Sequence, residues 1–154
     1  MIVYQHEIKE SLVPSAGKGL FLKEKVRQGS VIVAPDKINR VLSEEELHRF
    51  HPESPEVHSS IRWFENFYTS TPEWTDECYI NHSFEPNGLW HLGFVFAGRD
   101  IEAKEELLID YRLILAEGYE IGFKDSLTGE PIIGLKWEEK LHRSTRTLLS
   151  LIQK

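Results

Sequence analysis

Two short polar segments contain the residues best suited to chemistry in this chain. The first is Asn81-His82-Ser83, which follows the apolar pair Tyr79-Ile80 and precedes Pro86-Asn87. If this segment lies inside the fold, each polar side chain needs a hydrogen-bond partner. An adenine ring offers a donor amine and acceptor nitrogens that Asn81 and the neighbouring backbone can match. We disfavour a metal role for His82, because no His or Cys lies at ligand spacing from it.

The second segment is Glu106-Leu107-Leu108-Ile109-Asp110-Tyr111, which ends in a carboxylate and a phenol. Taken alone, it also fits a surface strand. A third, weaker signal is Gly17-Lys18-Gly19, where two residues without Cβ atoms let the backbone turn sharply and approach a neighbour. It lacks the third glycine of a dinucleotide fingerprint and the ending of a phosphate loop. A tight turn between strands is therefore an equally open interpretation.

Composition limits the class of protein. The 154 residues are 40% hydrophobic and 28% charged, which is typical of one globular domain. No apolar run approaches the ~18 residues of a membrane span. The N-terminus lacks the features of a signal peptide, and Cys78 is the only cysteine. An intramolecular disulfide and a cysteine-rich zinc site are thus excluded, and we expect a cytoplasmic protein.

The formal net charge of −7 argues against direct nucleic-acid binding and is compatible with a basic peptide partner. Solubility alone would explain the charge equally well.

Hydrophobic patterning predicts the elements that must position these segments. The first forty residues suggest short strands around 2–8, 20–22 and 31–33. Ser43 with Glu46 forms a capping-box pattern, which predicts a short helix that ends before Pro52. Within 53–72, helical spacing predicts an amphipathic helix through the apolar residues Ile61, Phe64, Phe67 and Tyr68.

The second half of the chain continues this pattern. Residues 88–96 predict one strand with two apolar faces, 106–111 predict another, and 125–131 have the composition of a turn. The last twenty residues predict an amphipathic helix with its apolar face at Trp137, Leu141, Leu148 and Ile152. Many short strands with a few helices indicate an α+β, mostly β fold class.

Taken in order, the three motifs resemble those of the SET-domain family of protein-lysine methyltransferases. The resemblance covers Gly17 to Tyr111. It implies a SET-type fold of small sheets with a knot-like crossing, followed by a C-terminal amphipathic helix. It further implies a single domain over 1–154, with a core at 1–115 and a C-terminal lid or helix extension at 116–154.

The resemblance also implies a reaction. Its cofactor would be S-adenosylmethionine, and its partner would be a protein or peptide that presents a lysine. Tyr111 would be the catalytic residue, without a metal. The cofactor-binding residues implied by the motifs are Lys18, Gly19, Leu20, Asn81 and His82.

The sequence departs from the family after Tyr111. Many members carry a cysteine-rich zinc cluster there, which closes the cofactor site, and this chain has no cysteine in that region. We predict that 122–137 forms the lid instead, with Phe123 or Trp137 as an aromatic wall for the cofactor. The alternative is that Trp137 attaches the terminal helix to the core, or to a second subunit in a homodimer.

Smaller departures are Phe84 where Cys is frequent, Cys78 where Arg is common and Lys104 in place of a turn glycine. They indicate a divergent branch. Two other functions stay open: a non-catalytic module that binds a peptide or the cofactor, and a methyltransferase that acts on a non-protein amine.

Overall fold

The computed structural model describes residues 1–36, 38–71 and 73–153. Within them the chain forms several small sheets and one long helix. The strands are β1 (His6–Glu10), β2 (Lys18–Leu22), β3 (Val31–Val33), β4 (Arg40–Ser43), β5 (Ser60–Phe64), β6 (Phe67–Ser70), β7 (Asn81–His82), β8 (Gly88–His91), β9 (Phe94–Ala97), β10 (Leu108–Ile109), β11 (Glu120–Lys124) and β12 (Pro131–Ile133). The α-helices are α1 (Glu44–Leu47), α2 (Pro55–His58) and α3 (Trp137–Ile152), and 3-10 turns cover Asp76–Tyr79 and Tyr111–Leu113. The α+β, mostly β fold class is confirmed.

The central sheet has the order β3-β9-β8 and is antiparallel. The prediction of one strand over 88–96 is wrong, because β8 and β9 form a hairpin. Leu92 (φ 48°) and Gly93 (φ 90°) make its two-residue turn, and positive φ at both positions matches the twist of a hairpin. The indole N–H of Trp63 donates to the Leu92 carbonyl at 3.0 Å and supports a turn that Leu92 would not favour alone.

A second antiparallel sheet has the order β4-β6-β5. It replaces the amphipathic helix predicted within 53–72, which is therefore wrong; Pro72 itself lies outside the described residues. The aromatic residues of 60–70 favour strands as well as helical spacing, and Glu65 at φ 41° closes the hairpin. Tyr68 packs with Leu42 and Leu47 in a small core of its own.

Three two-stranded ladders complete the sheets: antiparallel β1-β2, parallel β7-β10 and antiparallel β11-β12. The turn predicted at 125–131 is confirmed, since it joins β11 to β12. The main core lies between the central sheet, β2 and the 101–113 segment. Its fully buried members include Leu20, Leu22, Val26, Ile32, Ile101 and Leu107.

The two helices predicted from end signals and periodicity are both present, but the predicted apolar face of the terminal helix is wrong at Ile152, which is 64% exposed while Leu151 is buried. Ser43 and Glu46 form both bonds of the capping box at the start of α1. The terminal helix α3 packs on this chain's own core, where Lys140, Ser144 and Leu151 are buried. Among the described residues, no helix is both long and apolar enough to span a membrane.

Candidate functional site

A parallel ladder brings the two polar motifs side by side. In it Asn81 pairs with Leu108 and His82 with Ile109. Asn87 holds the two motifs together through both ends of its side-chain amide. The amide nitrogen donates to the Glu106 carbonyl at 2.7 Å, and the amide oxygen accepts from the Leu108 N–H at 2.8 Å. The Pro-Asn part of the first motif thus serves to hold the second motif in register, because a buried amide has both a donor and an acceptor to satisfy.

The Asn81 side chain lies at the centre of a partly buried polar network. Its Nδ2 atom contacts the Ser11 hydroxyl, the Lys18 carbonyl and the Glu106 carboxylate at 3.0–3.1 Å. Glu106, only 3% exposed, also accepts from the Ser11 hydroxyl and the Leu12 N–H, both at 2.7 Å. The network ties three chain segments together on one side of the site.

The same network explains the second glycine of the Gly17-Lys18-Gly19 motif. A Cβ atom on Gly19 would overlap Oε1 of Glu106. Gly19 therefore permits the close approach of β2 to the carboxylate. Leu20 is fully buried in the core, so its side chain does not face the cleft described below.

His82 connects the ladder to the phenol. The backbone N–H of Tyr111 donates to its Nδ1 atom at 3.0 Å. Nδ1 is therefore an acceptor without a proton, and the neutral ring carries its proton on Nε2. Burial lowers the pKa of His82 below its ordinary value, although Asp110 and Asp125 act in the opposite direction. Nε2 is buried without a hydrogen-bond partner in the described part of the chain.

Tyr111 begins the 3-10 turn that follows β10. Its hydroxyl donates to the Ile80 carbonyl at 2.7 Å, and burial raises the pKa of Tyr111 to about 12. The phenol is consequently neutral, and its proton is already donated to the Ile80 carbonyl. The lone pairs of the phenol oxygen can still accept a hydrogen bond. The preceding residue, Asp110, caps this turn and binds the Arg112 guanidinium through both oxygens.

These residues line a cleft of about 560 Å³. Its lining is formed by the loop 13–16, by Asn81, His82 and Tyr111, and by residues 123–126. Its volume is in the range of small-molecule sites, and its lining combines the apolar Val13, Pro14 and Phe123 with polar side chains. Phe123 stands with its ring centroid 6.3 Å from that of Tyr111.

The structure thus brings four of the predicted site residues, Asn81, His82, Tyr111 and Phe123, to one cleft. Lys18 and Gly19 adjoin it through the polar network rather than by lining it. Trp137 does not line this cleft; it lies at the start of α3, where the Lys140 ammonium is 5.6 Å from its ring. The binding roles of all these residues stay predictions.

Sequence reasoning missed the loop 13–16 and Asp125. The loop precedes the glycine motif, and the composition Pro14-Ser15-Ala16-Gly17 was the available sequence signal for a turn there. Asp125 opens the turn Asp-Ser-Leu-Thr-Gly, a composition that predicts a turn without indicating what the carboxylate faces. Its proximity to His82 arises only from the fold.

A second cleft, of about 360 Å³, is lined on one side by Ile80, whose carbonyl accepts the Tyr111 hydroxyl. Its lining is largely apolar and includes Ile61, Trp63 and Trp90. Carboxylates also line it at Asp36, Glu73, Asp76 and Glu77. One hydrogen bond therefore connects the walls of the two clefts. In the described residues no cluster of His, Cys, Asp and Glu could hold a metal ion.

The short-stranded fold and the adjoining motifs can now be compared with known families of domains. A model of the SET domain matches residues 17–112, which is more than half of the chain. The chain belongs to the SET domain family, whose methyltransferases use S-adenosylmethionine. A comparison with curated proteins finds no match.

Solved structures support the fold. Similar chains occur in the Polycomb Repressive Complex 2 of Chaetomium thermophilum. An apo form with mutations in Ezh2 matches with a TM-score of 0.62 and 18% identity over 98% of this chain and 22% of that chain. An autoinhibited form bound to S-adenosylmethionine matches with a TM-score of 0.56 and 18% identity over 98% of this chain and 23% of that one. The chain therefore spans less than a quarter of these relatives' length.

Proposed function

We propose that this chain binds S-adenosylmethionine in the 560 Å³ cleft and methylates the side-chain amine of a lysine in a protein. The observation that carries the proposal is the convergence of His82, Tyr111 and Phe123 on one cleft in a SET domain. When bound, this cofactor supplies an electrophilic methyl group on a positively charged sulfur.

Tyr111 would orient the acceptor. Because its proton is given to the Ile80 carbonyl, its oxygen is left to accept an N–H from the lysine amine. The amine must be neutral to attack, yet the pKa of lysine in water is ~10.4. Apolar surroundings lower that pKa by disfavouring the charged form. Holding the two reactants in line can then supply roughly 7–11 kcal/mol of the barrier reduction.

We further propose that the acceptor lysine enters from the 360 Å³ cleft. Ile80 lines this cleft and its carbonyl accepts the Tyr111 hydroxyl, so a side chain passing Ile80 would reach the phenol from a cleft other than the one proposed for the cofactor. In-line displacement requires that the amine and the cofactor approach from different sides. The aromatic residues Trp63 and Trp90 suit a cationic or amine-bearing chain, because aromatic faces attract cations.

The first test is calorimetric titration of S-adenosylmethionine into the purified protein, which needs no knowledge of the substrate. We expect micromolar binding. A folded protein that does not bind the cofactor would contradict the proposal. Loss of binding in Asn81→Ala would be hard to interpret alone, because the Asn81 amide also supports the Ser11 and Glu106 contacts.

The second test measures transfer of a radiolabelled methyl group to a library of lysine-containing peptides, with free lysine and small amines in parallel. Peptide methylation supports the proposal. Transfer only to the small amines would favour a non-protein substrate. Cofactor binding without any transfer would favour a non-catalytic module.

Tyr111→Phe tests the catalytic role within the same assay. We expect turnover to fall on the order of 100-fold, because the amine loses its acceptor and its alignment. Cofactor affinity should change little, and loss of the bond to Ile80 should cost about 1 kcal/mol of stability. Turnover equal to that of the wild type would remove Tyr111 from this role.

A further inference from the structure

Asp125 belongs to none of the three motifs, yet it is buried against the site. Its Oδ2 atom accepts from the N–H groups of Leu127 and Thr128 at 3.1 and 2.8 Å, and from the Thr128 hydroxyl at 3.0 Å. Its Oδ1 atom accepts one long bond of 3.3 Å from the Phe84 N–H and lies 3.6 Å from Nε2 of His82. One carboxylate therefore faces both the hairpin turn and the imidazole.

We propose that Asp125 is a positioning residue that fixes the imidazole of His82 and, through it, the backbone of Tyr111, and that this link tightens when the cleft is filled. The second half of this inference rests on the proposed function. The chain of contacts is Asp125 Oδ1, His82 Nε2–H, His82 Nδ1 and Tyr111 N–H. We call it the Asp125–His82 link.

Few groups near the ring could accept a hydrogen bond from the Nε2–H of His82. The other charged groups near the ring are Asp110 and Arg112, and the Arg112 guanidinium binds both oxygens of the Asp110 carboxylate. Arg112 also stacks on Phe84, 4.2 Å from the ring centroid, and Phe84 in turn contacts the imidazole edge. The Ile109 carbonyl also faces the ring, but it already accepts from the Ser83 N–H at 3.1 Å, whereas Asp125 Oδ1 accepts one long bond of 3.3 Å.

The distance of 3.6 Å is longer than a hydrogen bond, so the link is not closed in this structure. A shift of under 1 Å would close it. Asp125 sits at the tip of the β11-β12 hairpin, which pairs only with itself among the described strands. Phe123, Lys124 and Ser126 on the same tip form a wall of the 560 Å³ cleft. A ligand that draws this wall inward would bring the carboxylate to the imidazole.

The Asp125–His82 link would couple occupancy of the cleft to the position of Tyr111. Closing the link would hold the imidazole more firmly, and the same ring accepts the Tyr111 N–H through Nδ1. Occupancy of the cleft and orientation of the catalytic phenol would then depend on each other. The carboxylate itself stays ionised: burial opposes this, but the donors from Thr128, Phe84 and Leu127 hold the pKa of Asp125 below its ordinary value.

The experiment has an arm that needs no cofactor. In the free, ¹⁵N-histidine-labelled protein, NMR should show His82 with an unprotonated Nδ1 and a protonated Nε2. Asp125→Asn should lower the pKa of His82 further, because it removes a neighbouring negative charge that raises it. Unchanged His82 signals and an unchanged pKa in this variant would overturn the proposal.

The second arm adds S-adenosylmethionine. In the wild type, the Nε2 proton resonance should move downfield as the link closes, a readout that needs no variant. By calorimetry, Asp125→Asn should bind about 10-fold more weakly. The matched control is Thr128→Val, which loses a turn bond to the same carboxylate but keeps the carboxylate; its affinity should stay within about 3-fold of the wild type.

The outcomes separate the two proposals. Equal losses in Asp125→Asn and Thr128→Val would show that Asp125 only builds the turn, and would overturn the link. Cofactor binding that leaves the His82 resonances unmoved would overturn the tightening. A wild type that does not bind S-adenosylmethionine would remove the proposed function and the tightening with it, while the free-protein arm would still decide whether Asp125 positions His82.

Discussion

Asn81 shows that a motif residue can shape a site through its hydrogen bonds to neighbouring segments of the chain. The sequence suggested that its amide reads the edge of an adenine. In the structure, the Nδ2 donors are already directed to Ser11, Lys18 and Glu106. Because an amide nitrogen has two hydrogens, little donor capacity is left for a ligand. Asn81 is thus placed to shape the wall of the cleft, and its side-chain oxygen and backbone are the groups left for direct contact.

Gly19→Ala tests this network with a single methyl group. The new Cβ would overlap the buried carboxylate of Glu106, so the carboxylate or β2 must move. We expect a loss of roughly 1–3 kcal/mol in unfolding free energy, the usual cost of overpacking, together with weaker cofactor binding. Chemical denaturation and calorimetry measure the two effects.

The matched control is Gly122→Ala on the hairpin, where a Cβ atom would meet nothing within 4 Å. Its stability should be close to that of the wild type. If Gly19→Ala left the free energy of unfolding equally unchanged, the close approach of Gly19 to Glu106 would not matter for the fold. The contact with Glu106 would then not explain why a glycine stands at position 19.

At the scale of elements, sequence patterns succeeded where the signal was local. The capping box at Ser43 and the periodicity of α3 depend on neighbours within a few residues, and both helices are present. The helix within 53–72 failed because apolar residues spaced by three also suit a hairpin when they are aromatic or β-branched. Pairing with β4, which is distant in sequence, decided the outcome.

The candidate site shows the same limit. The motif residues Asn81, His82 and Tyr111 could be chosen from the sequence, because each motif has a recognisable order of residue types. Asp125 and the loop 13–16 could not, since they reach the cleft only after β7 and β10 pair and the β11-β12 hairpin folds beside them.

Phe123 and Trp137 were equal candidates for an aromatic wall, and their elements now distinguish them. Phe123 is half-exposed and lines the cleft, whereas Trp137 begins α3 beside Lys140. We expect Phe123→Ala to weaken cofactor binding about 10-fold with little change in stability. Trp137→Ala should instead lower the melting temperature and leave affinity unchanged.

Calorimetry and thermal unfolding on both variants decide between these roles, and each variant serves as the control for the other. Unchanged affinity in Phe123→Ala would remove the hairpin as an aromatic wall of the cofactor site. Weakened cofactor binding in a folded Trp137→Ala variant would instead favour Trp137 as an aromatic wall of the cofactor site.

For the whole molecule, the attachment of α3 involves an unusual buried charge. Lys140 is 1% exposed, its ammonium donates to the Arg62 carbonyl at 2.9 Å, and it lies 4.3 Å from the centroid of the Trp90 ring. Burial, with the Arg62 guanidinium nearby, lowers the pKa of Lys140 to about 7. Helix α3 therefore buries the amine of one of its own residues, which in water would stay charged up to a pH of ~10.4.

This difference makes stability depend on pH in a definite direction. Between pH 7 and about 10 the unfolded chain holds a proton on Lys140 that the folded chain has lost, so the free energy of unfolding rises with pH. From pH 7 to pH 9 we expect a gain of about 1–3 kcal/mol, since each pH unit contributes at most ~1.4 kcal/mol. Urea denaturation at a series of pH values measures this slope.

Lys140→Met should abolish the slope and raise stability at pH 7, because an apolar chain of similar length fills the site without a charge to desolvate. Lys136→Met is the control: it removes the same charge at an exposed position just before α3 and should keep the slope. Equal slopes in the wild type and in Lys140→Met would show that Lys140 stays protonated in the folded protein. The contact with the Trp90 ring would then have to compensate for its burial, and the helix would be held by a cation rather than by a neutral amine.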